Sequence, residues 1–367
     1  MEKLVSSQSL PDPDFWRGRK VLLTGHTGFK GSWLLFWLEA MGADVTGCSL
    51  PPEEPEALFP LLHARDRLSG EIADIRDAHE LGNLVERARP EIVLHLAAQS
   101  LVRRSYADPV GTFATNVTGT DNLMQALART GTARAIVVTT TDKVYLNSGD
   151  GRRFCEADPL GGEDPYSASK AACEMVVAGW RAHFENARCG IATARAGNVI
   201  GGGDWAEDRL FPDAIRAWSK GQILSVRRPF ATRPWQHVLE PLRGYLVLAE
   251  RLASGAELAP AYNFGPVEDS AAVRDVLTLA ASHFGSAGIE YGDTPEGPAE
   301  AHALALDPSL AAADLAVSGL WRLDHTVALT ARWYRDHLDG RSGRDLCEED
   351  CSAYVHSARA ASAGSGR

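Results

Sequence analysis

The sequence predicts an α/β protein, a doubly wound parallel sheet with helices on both faces and a smaller C-terminal lobe that binds substrate. Three observations predict it. Short β-like runs alternate with helical patterns through the first half of the chain. A glycine-rich stretch, "TGHTGFKGSW" (24–33), falls where the first strand gives way to the first helix. No internal repeat marks a solenoid or propeller.

In order, "KVLLT" (20–24) reads as strand one, and the stretch from Phe29 to Met41 places Trp33, Phe36, Trp37 and Met41 on one helical stripe. "DVTGCSL" (44–50) is strand two, followed by a proline-rich loop. "EIADIRD" (71–77) reads as strand three, "ELGNLVERA" as a helix and "EIVLHLAA" (91–98) as strand four. A helix over "TNVTGTDNLMQALA" leads to strand five, "AIVVTTT" (135–141), and a helix over "YSASKAACEMVV" leads to strand six, "IATARA" (191–196). Six such β-α repeats make a Rossmann-type sheet. After Asn198 the rhythm changes to glycines, a short helix near Phe211 to Trp218, and "RRPFATRPWQHV" (227–238). The division expected is therefore a dinucleotide-binding domain over 15–198 with strand and helix returns from later segments, a lobe over 199–339, and a polar tail over 340–367 that is partly disordered.

With 45% hydrophobic and 23% charged residues the composition is that of a globular protein, and no run approaches the roughly 20 apolar residues of a membrane span. The N-terminal residues show no signal-peptide pattern, so the cytoplasm is expected and no membrane partner. A net charge of −11 argues against a nucleic-acid partner, which needs a basic face. The six cysteines have neither CxxC nor zinc spacing and are expected to be reduced thiols, with no metal site.

Gly25, Gly28 and Gly31 form a GxxGxxG pattern at the strand-helix turn. Taken alone it suits either a tight corner or the approach of backbone amides to a pyrophosphate at a helix N-terminus. The end of strand two, "CSL", lacks the carboxylate that usually holds the adenosine ribose. Asp74 is placed either to meet an adenine amino group or to cap a helix. Tyr166 and Lys170 stand four apart on one helical face, where an ammonium can lower a phenol's pKa and make it a base. Thr141, Asp142 and Lys143 stand at the carboxyl end of strand five, where this fold opens into its ligand crevice.

The glycine-rich turn and the YxxxK after strand five together resemble the extended short-chain dehydrogenase/reductase superfamily. The blocks "TGHTGFKGSWL", "HLAAQSLVRRSY", "TDKVY", "DPYSASK", "RAGNVIGGGDWAEDRL" and "RPWQHVLEPL" are similar, in order and spacing, to those of the CDP-glucose 4,6-dehydratases. The likeness runs from Phe15 to beyond Gly265 and is weaker after that. It departs at "TTDKVYLN", where that family more often reads serine before the Asp and cysteine before the Tyr.

The resemblance implies NAD as cofactor, CDP-glucose as substrate, and conversion to CDP-4-keto-6-deoxy-D-glucose with loss of water. It implies Thr141, Asp142, Lys143, Tyr166 and Lys170 as the catalytic group. Around NAD it implies Gly25, His26, Thr27, Gly28, Phe29, Lys30, Gly31, Asp74, Ile75, Ala97, Ala98 and Thr115, together with Tyr166 and Lys170. Ser100, Arg103, Asn198, Trp205, Arg209 and Arg233 are expected on the substrate, with Arg233 as a diphosphate clamp. Tyr166 would take the C4 hydroxyl proton and Asp142 would protonate the departing C6 hydroxyl. Lys143, where related dehydratases carry Glu, would take the C5 proton directly or through a water, which a lysine can do only when neutral, or would serve only to orient Asp142 or the sugar. A homodimer through the helices of "TNVTGTDNLMQAL" and Tyr166 is expected from the same relatives. An epimerase or decarboxylase of the superfamily, or a noncatalytic NAD-binding sensor, are the alternatives; an elimination acid at Asp142 and the retained Tyr166 argue against them.

Overall fold

The computed structural model describes residues 8–62, 69–268, 270–284, 288–292 and 304–364. Its centre is one parallel sheet built from β1 (Lys20–Thr24), β2 (Asp44–Ser49), β3 (Ser69–Ile72), β4 (Ile92–His95), β5 (Ala135–Thr139), β6 (Gly190–Ala196) and β7 (Ala261–Phe264). The strand order is β7-β6-β5-β4-β1-β2-β3. β1 therefore pairs with both β2 and β4, Leu22 lying opposite Thr46 on one side and Val93 on the other. Connections run outward in opposite directions from this point, so the carboxyl ends of β1 and β4 diverge into a crevice.

The main helices are α1 (Phe29–Ala40), α2 (Ala78–Ala88), α3 (Gly119–Thr130), α4 (Pro165–Asn186), α5 (Leu210–Ser219), α6 (Leu239–Ala253), α7 (Leu323–Leu338) and α8 (Gly343–Gly364). β4 and β5 are buried along their whole length, as strands covered on both faces must be. Two apolar layers flank the sheet, one with Leu22, Val93 and Ile136 and the other with Leu23, Leu94 and Val137. This alternation along each strand is the period-two pattern of a sheet with a core on either side.

Four sequence expectations change. β3 ends at Ile72 instead of running through 77, because Asp74 Oδ1 accepts from the Arg76 amide at 2.9 Å and turns the chain. α1 carries no single apolar stripe; Gly31 through Leu38 are all buried, since C-terminal helices cover its outer side and Trp37 meets the Tyr354 ring at 6.0 Å. A seventh strand, β7 (AYNF), beyond the six that the sequence predicts, extends the sheet past β6.

The expected disordered tail is, over 343–364, the helix α8. Leu346, Cys347, Asp350, Tyr354 and Ala358 are fully buried at helical spacing, and Tyr354 donates to Glu240 at 2.7 Å. Residues 365–367 of that tail lie outside the described residues. Alanine-rich polar composition suits a helix as well as a coil, and the buried stripe decides between them.

α6 and β7, both from the segment assigned to the lobe, pack on the Rossmann sheet, as does the Ser309–Leu315 helix against β7; α5 and the strand Ile223–Val226 line the cleft at the carboxyl edge.

Candidate active site

The crevice at the carboxyl edge is a cleft of about 1050 Å³. That is room for more than one drug-sized molecule. At its β1 end, Gly25 has φ +76 and its missing Cβ would lie 2.7 Å from the Ala97 amide nitrogen. A Cβ on Gly31 would run into the Gly25 carbonyl oxygen. These two glycines let the turn fold tightly on itself. Gly28 differs: as N-cap of α1 it supplies no side-chain acceptor, and a Cβ there would meet only the Gly25 oxygen at 3.4 Å. The first amides of α1 are thus left for a ligand in the cleft, and the turn fits a dinucleotide pyrophosphate.

At the end of β2, where the sequence lacks a carboxylate, Thr27 shares a hydrogen bond with Ser49 at 2.7 Å and donates to the Leu50 carbonyl at 2.8 Å. Asp74 takes a two-pronged contact from Arg76, with Nε at 2.8 Å from Oδ2, which holds its carboxyl below the usual range. Asp77 caps α2, so Asp74 is left facing the cleft with Ile75. Phe29, Ala97, Ala98 and Thr115 also line the cleft.

His26 does not join them. It is buried away from the cleft, edge-on to Phe59 at 5.2 Å and against Gly47, and burial pushes its imidazole down to about 4. It is a neutral packing residue and not a donor to a cofactor. Its burial follows from the turn: between Gly25 and Gly28 successive side chains point to opposite sides, so Thr27 faces the cleft and His26 the core. His95, in β4, is likewise internal, bonded to Thr24 at 2.7 Å and Thr120 at 3.0 Å.

The catalytic candidates meet where β5 ends. Lys170 Nζ donates to the Thr139 carbonyl at 3.1 Å, and the Thr141 side chain acts to lower the pKa of the Tyr166 phenol. Thr141 also donates to Asp142 Oδ1 at 2.9 Å, while the buried Asp142 Oδ2 has no hydrogen-bond partner among the described residues. Lys143 Nζ stands 3.6 Å from Asp142 Oδ1. Burial raises the Tyr166 phenol to about 12, Thr141 and Arg209 acting against it. The expectation that the neighbouring lysine brings this phenol toward neutrality is not met in the chain by itself, because desolvation outweighs the nearby cations. Burial lowers Lys170, with Cys173 and Glu174 opposing. Lys30 enters the same end of the cleft 6.0 Å from the Tyr245 ring centre, and burial together with Arg209 brings its amine down to about 7.

All six substrate candidates line the cleft. Arg209 spans Asp204 at 2.9 Å and Ser100 at 3.2 Å, and Arg103 pairs with Asp208 at 2.7 Å. Arg233 is buried at the wall with one nitrogen on the Thr232 carbonyl at 2.8 Å. Among the described residues, the buried Asn198 Oδ1 and Trp205 Nε1 have no hydrogen-bond partner.

Sequence reasoning missed Asn116. It sits in a π-helical turn, Ala114–Thr118, between the Pro109–Phe113 helix and α3. Its amide ties the loop after β4 to α4, accepting from the Gln99 amide at 2.8 Å and donating to Ser169 at 2.8 Å. The only signal in the sequence is a polar residue inside an apolar helical pattern.

Residues 21–265 match the family model described as the NAD dependent epimerase/dehydratase family. The chain is 41% identical over 352 residues to a CDP-glucose 4,6-dehydratase of Salmonella typhimurium, covering 94% of this chain and 98% of the relative. It is 30% identical over 328 residues to a dTDP-glucose 4,6-dehydratase of Streptomyces griseus, covering 86% and 94%. Among solved structures, the dTDP-glucose 4,6-dehydratase DesIV of Streptomyces venezuelae, determined with NAD bound, superposes with TM-score 0.73 at 26% identity over 86% of this chain and 97% of that one.

Proposed function

The chain belongs to the NAD dependent epimerase/dehydratase family, and from that membership we propose that it dehydrates CDP-D-glucose to CDP-4-keto-6-deoxy-D-glucose, a hydro-lyase step toward deoxysugars. The observation that carries this reading is the unpartnered, buried Asp142 carboxylate oxygen beside Thr141 and Tyr166. An epimerase has no hydroxyl to expel and no use for an acid there.

Bound NAD would supply the hydride acceptor for oxidation at C4 and the hydride donor for reduction at C6. The amides of Phe29 to Gly31 would hold its pyrophosphate, and Lys170 its nicotinamide ribose. Tyr166, steadied by Thr141, takes the C4 hydroxyl proton, and the resulting ketone acidifies the hydrogen at C5. Lys143 removes the C5 proton while Asp142 donates one to the C6 oxygen, which leaves as water. Lys143 then gives its proton back to C5 as C6 is reduced, and the proton that Tyr166 took from O4 replaces, through solvent, the one Asp142 gave to the leaving water, so the sugar loses only the elements of water. Ser100, Arg103, Asn198, Trp205, Arg209 and Arg233 surround the nucleotide sugar, the last two as cations for the diphosphate.

The same reading includes a homodimer in the cytoplasm. Tyr106, Val110 and Phe113 on the Val102–Phe113 helices and Met175 on α4 expose apolar side chains on elements that pack side by side, a surface suited to a second copy. The test is incubation with NAD and a panel of CDP-, dTDP-, GDP- and UDP-glucose, read by the ketone chromophore in alkali. Preferential turnover of CDP-glucose is expected; turnover of another nucleotide first would reassign the substrate, and no ketone with any would reject the dehydratase reading.

A further inference from the structure

Beneath the cleft floor, Glu174 and Arg195 form an ion pair that the reaction as described does not use. Glu174 lies on α4 one turn past Lys170 and two past Tyr166, yet its side chain is absent from the cleft wall. Its carboxylate is 5% exposed and the Arg195 side chain opposite it also 5%. Oε1 accepts from Thr140 Oγ1 at 2.6 Å and from Arg195 Nε at 2.9 Å. Oε2 accepts from Thr193 Oγ1 at 2.7 Å and from the second Arg195 nitrogen at 2.8 Å.

Taking two charges out of water is expensive, and apolar residues of the same size often serve a fold as well. What the pair holds is therefore informative. Thr140 opens the turn that carries Thr141, Asp142 and Lys143. Tyr145 closes it, and its hydroxyl accepts from Arg195 at 2.9 Å while donating to Asn263 at 2.6 Å. One ion pair thus grips the turn at both ends. Arg195 also lies just ahead of Ala196, Gly197 and Asn198 on the facing wall of the cleft.

We propose that Glu174 is a positioning residue for the dehydration, and that the Thr140 hydroxyl is the link through which it places Thr141 and Asp142 against the sugar. The proposal rests on the reading of those two residues as catalytic. Glu174 itself touches neither substrate nor cofactor. A displacement of an ångström at a reacting group is enough to slow a reaction by about a hundredfold, so a short, charge-assisted bond at the base of the turn has leverage on rate.

Thr140→Val tests this in the full-length protein, because it removes one hydroxyl and leaves the Glu174 charge paired with Arg195. Thr193→Val is the matched control, losing a bond of the same kind to the same carboxylate from the interior of β6. For Thr140→Val the expected result is a fall in kcat of about tenfold with KM unchanged, the low end of the loss of a hydrogen bond to a charged group. Thr140→Ser restores it, and Thr193→Val stays within about twofold of wild type. A merely structural pair would give equal losses in the two valine variants, and that outcome overturns the proposal. Amide hydrogen exchange over 140–145, measured without substrate, decides the matter even if none of the nucleotide sugars is turned over. Faster exchange at Lys143 and Val144 in Thr140→Val alone supports the link, and identical exchange in the two variants sinks it.

Discussion

Replacing Tyr166 by Phe isolates one oxygen. The side chain is 7% exposed, so the ring keeps its packing in the variant and the fold should be untouched. The phenol, held up to about 12 by burial, carries its proton in the resting chain at neutral pH, and no buried charge is lost with it. What disappears is the proton acceptor. A positioned base contributes about 10²–10⁴ in rate. At ~1.36 kcal/mol per factor of ten this is roughly 2.7–5.4 kcal/mol of barrier. kcat should fall by that factor while CDP-glucose and NAD bind within about twofold of wild type. Turnover is read by the ketone chromophore and binding by calorimetry. A phenol with so high a pKa also predicts a wild-type kcat that climbs by about tenfold per pH unit until the group ionises in the complex, a slope the variant lacks. Activity of Tyr166→Phe within a few-fold of wild type, or with the pH slope intact, would refute the assignment.

Gly28→Ala should fold as the wild type does, since a Cβ meets nothing closer than 3.4 Å, yet bind NAD at least about tenfold more weakly because the methyl stands where the pyrophosphate approaches; Gly31→Ala, whose methyl strikes the Gly25 carbonyl, should lose stability as well. Thermal melts and NAD titrations separate the two, and equal behaviour of the pair would contradict the geometry. Tyr354→Ala should destabilise the protein by about 3–5 kcal/mol in urea unfolding, as for other buried aromatics, because the ring packs on Trp37 and Trp321; a loss under about 1 kcal/mol would mean that α8 is not docked. Glu250 accepts from Trp16 at 2.6 Å and from the Asp12 amide at 2.8 Å, with no salt bridge to it among the described residues, and burial raises its carboxyl to about 7. A raised folded pKa means the folded chain binds a proton that the unfolded chain releases above about 4.5, so stability falls as pH rises from about 4.5 through 7. Glu250→Gln should flatten that decline, which melts at pH 5 and pH 8 would check.

Local chemistry made the Rossmann half legible. Glycines at 25, 28 and 31 after an apolar strand, a Tyr166–Lys170 spacing of one helical turn and the "TTTDK" exit of strand five each state their geometry within a few residues. Those short-range rules hold in any chain that adopts the fold, so the sheet and the cleft residues could be placed before any contact was known. Distant contacts decided the rest. Whether His26 faces the cleft or the core depends on Phe59 and Gly47, which no spacing connects to it. The β7 segment AYNF is too short to announce itself, and it becomes a strand because the open edge of β6 supplies its hydrogen bonds. The tail reads as coil by composition but folds because Tyr354 finds Trp37, Trp321 and Glu240, all far away in sequence. The Tyr166 phenol shows the same division at a single atom: the sequence placed a lysine beside it, while its pKa follows from how much water the surrounding elements remove, a property of the whole packed site.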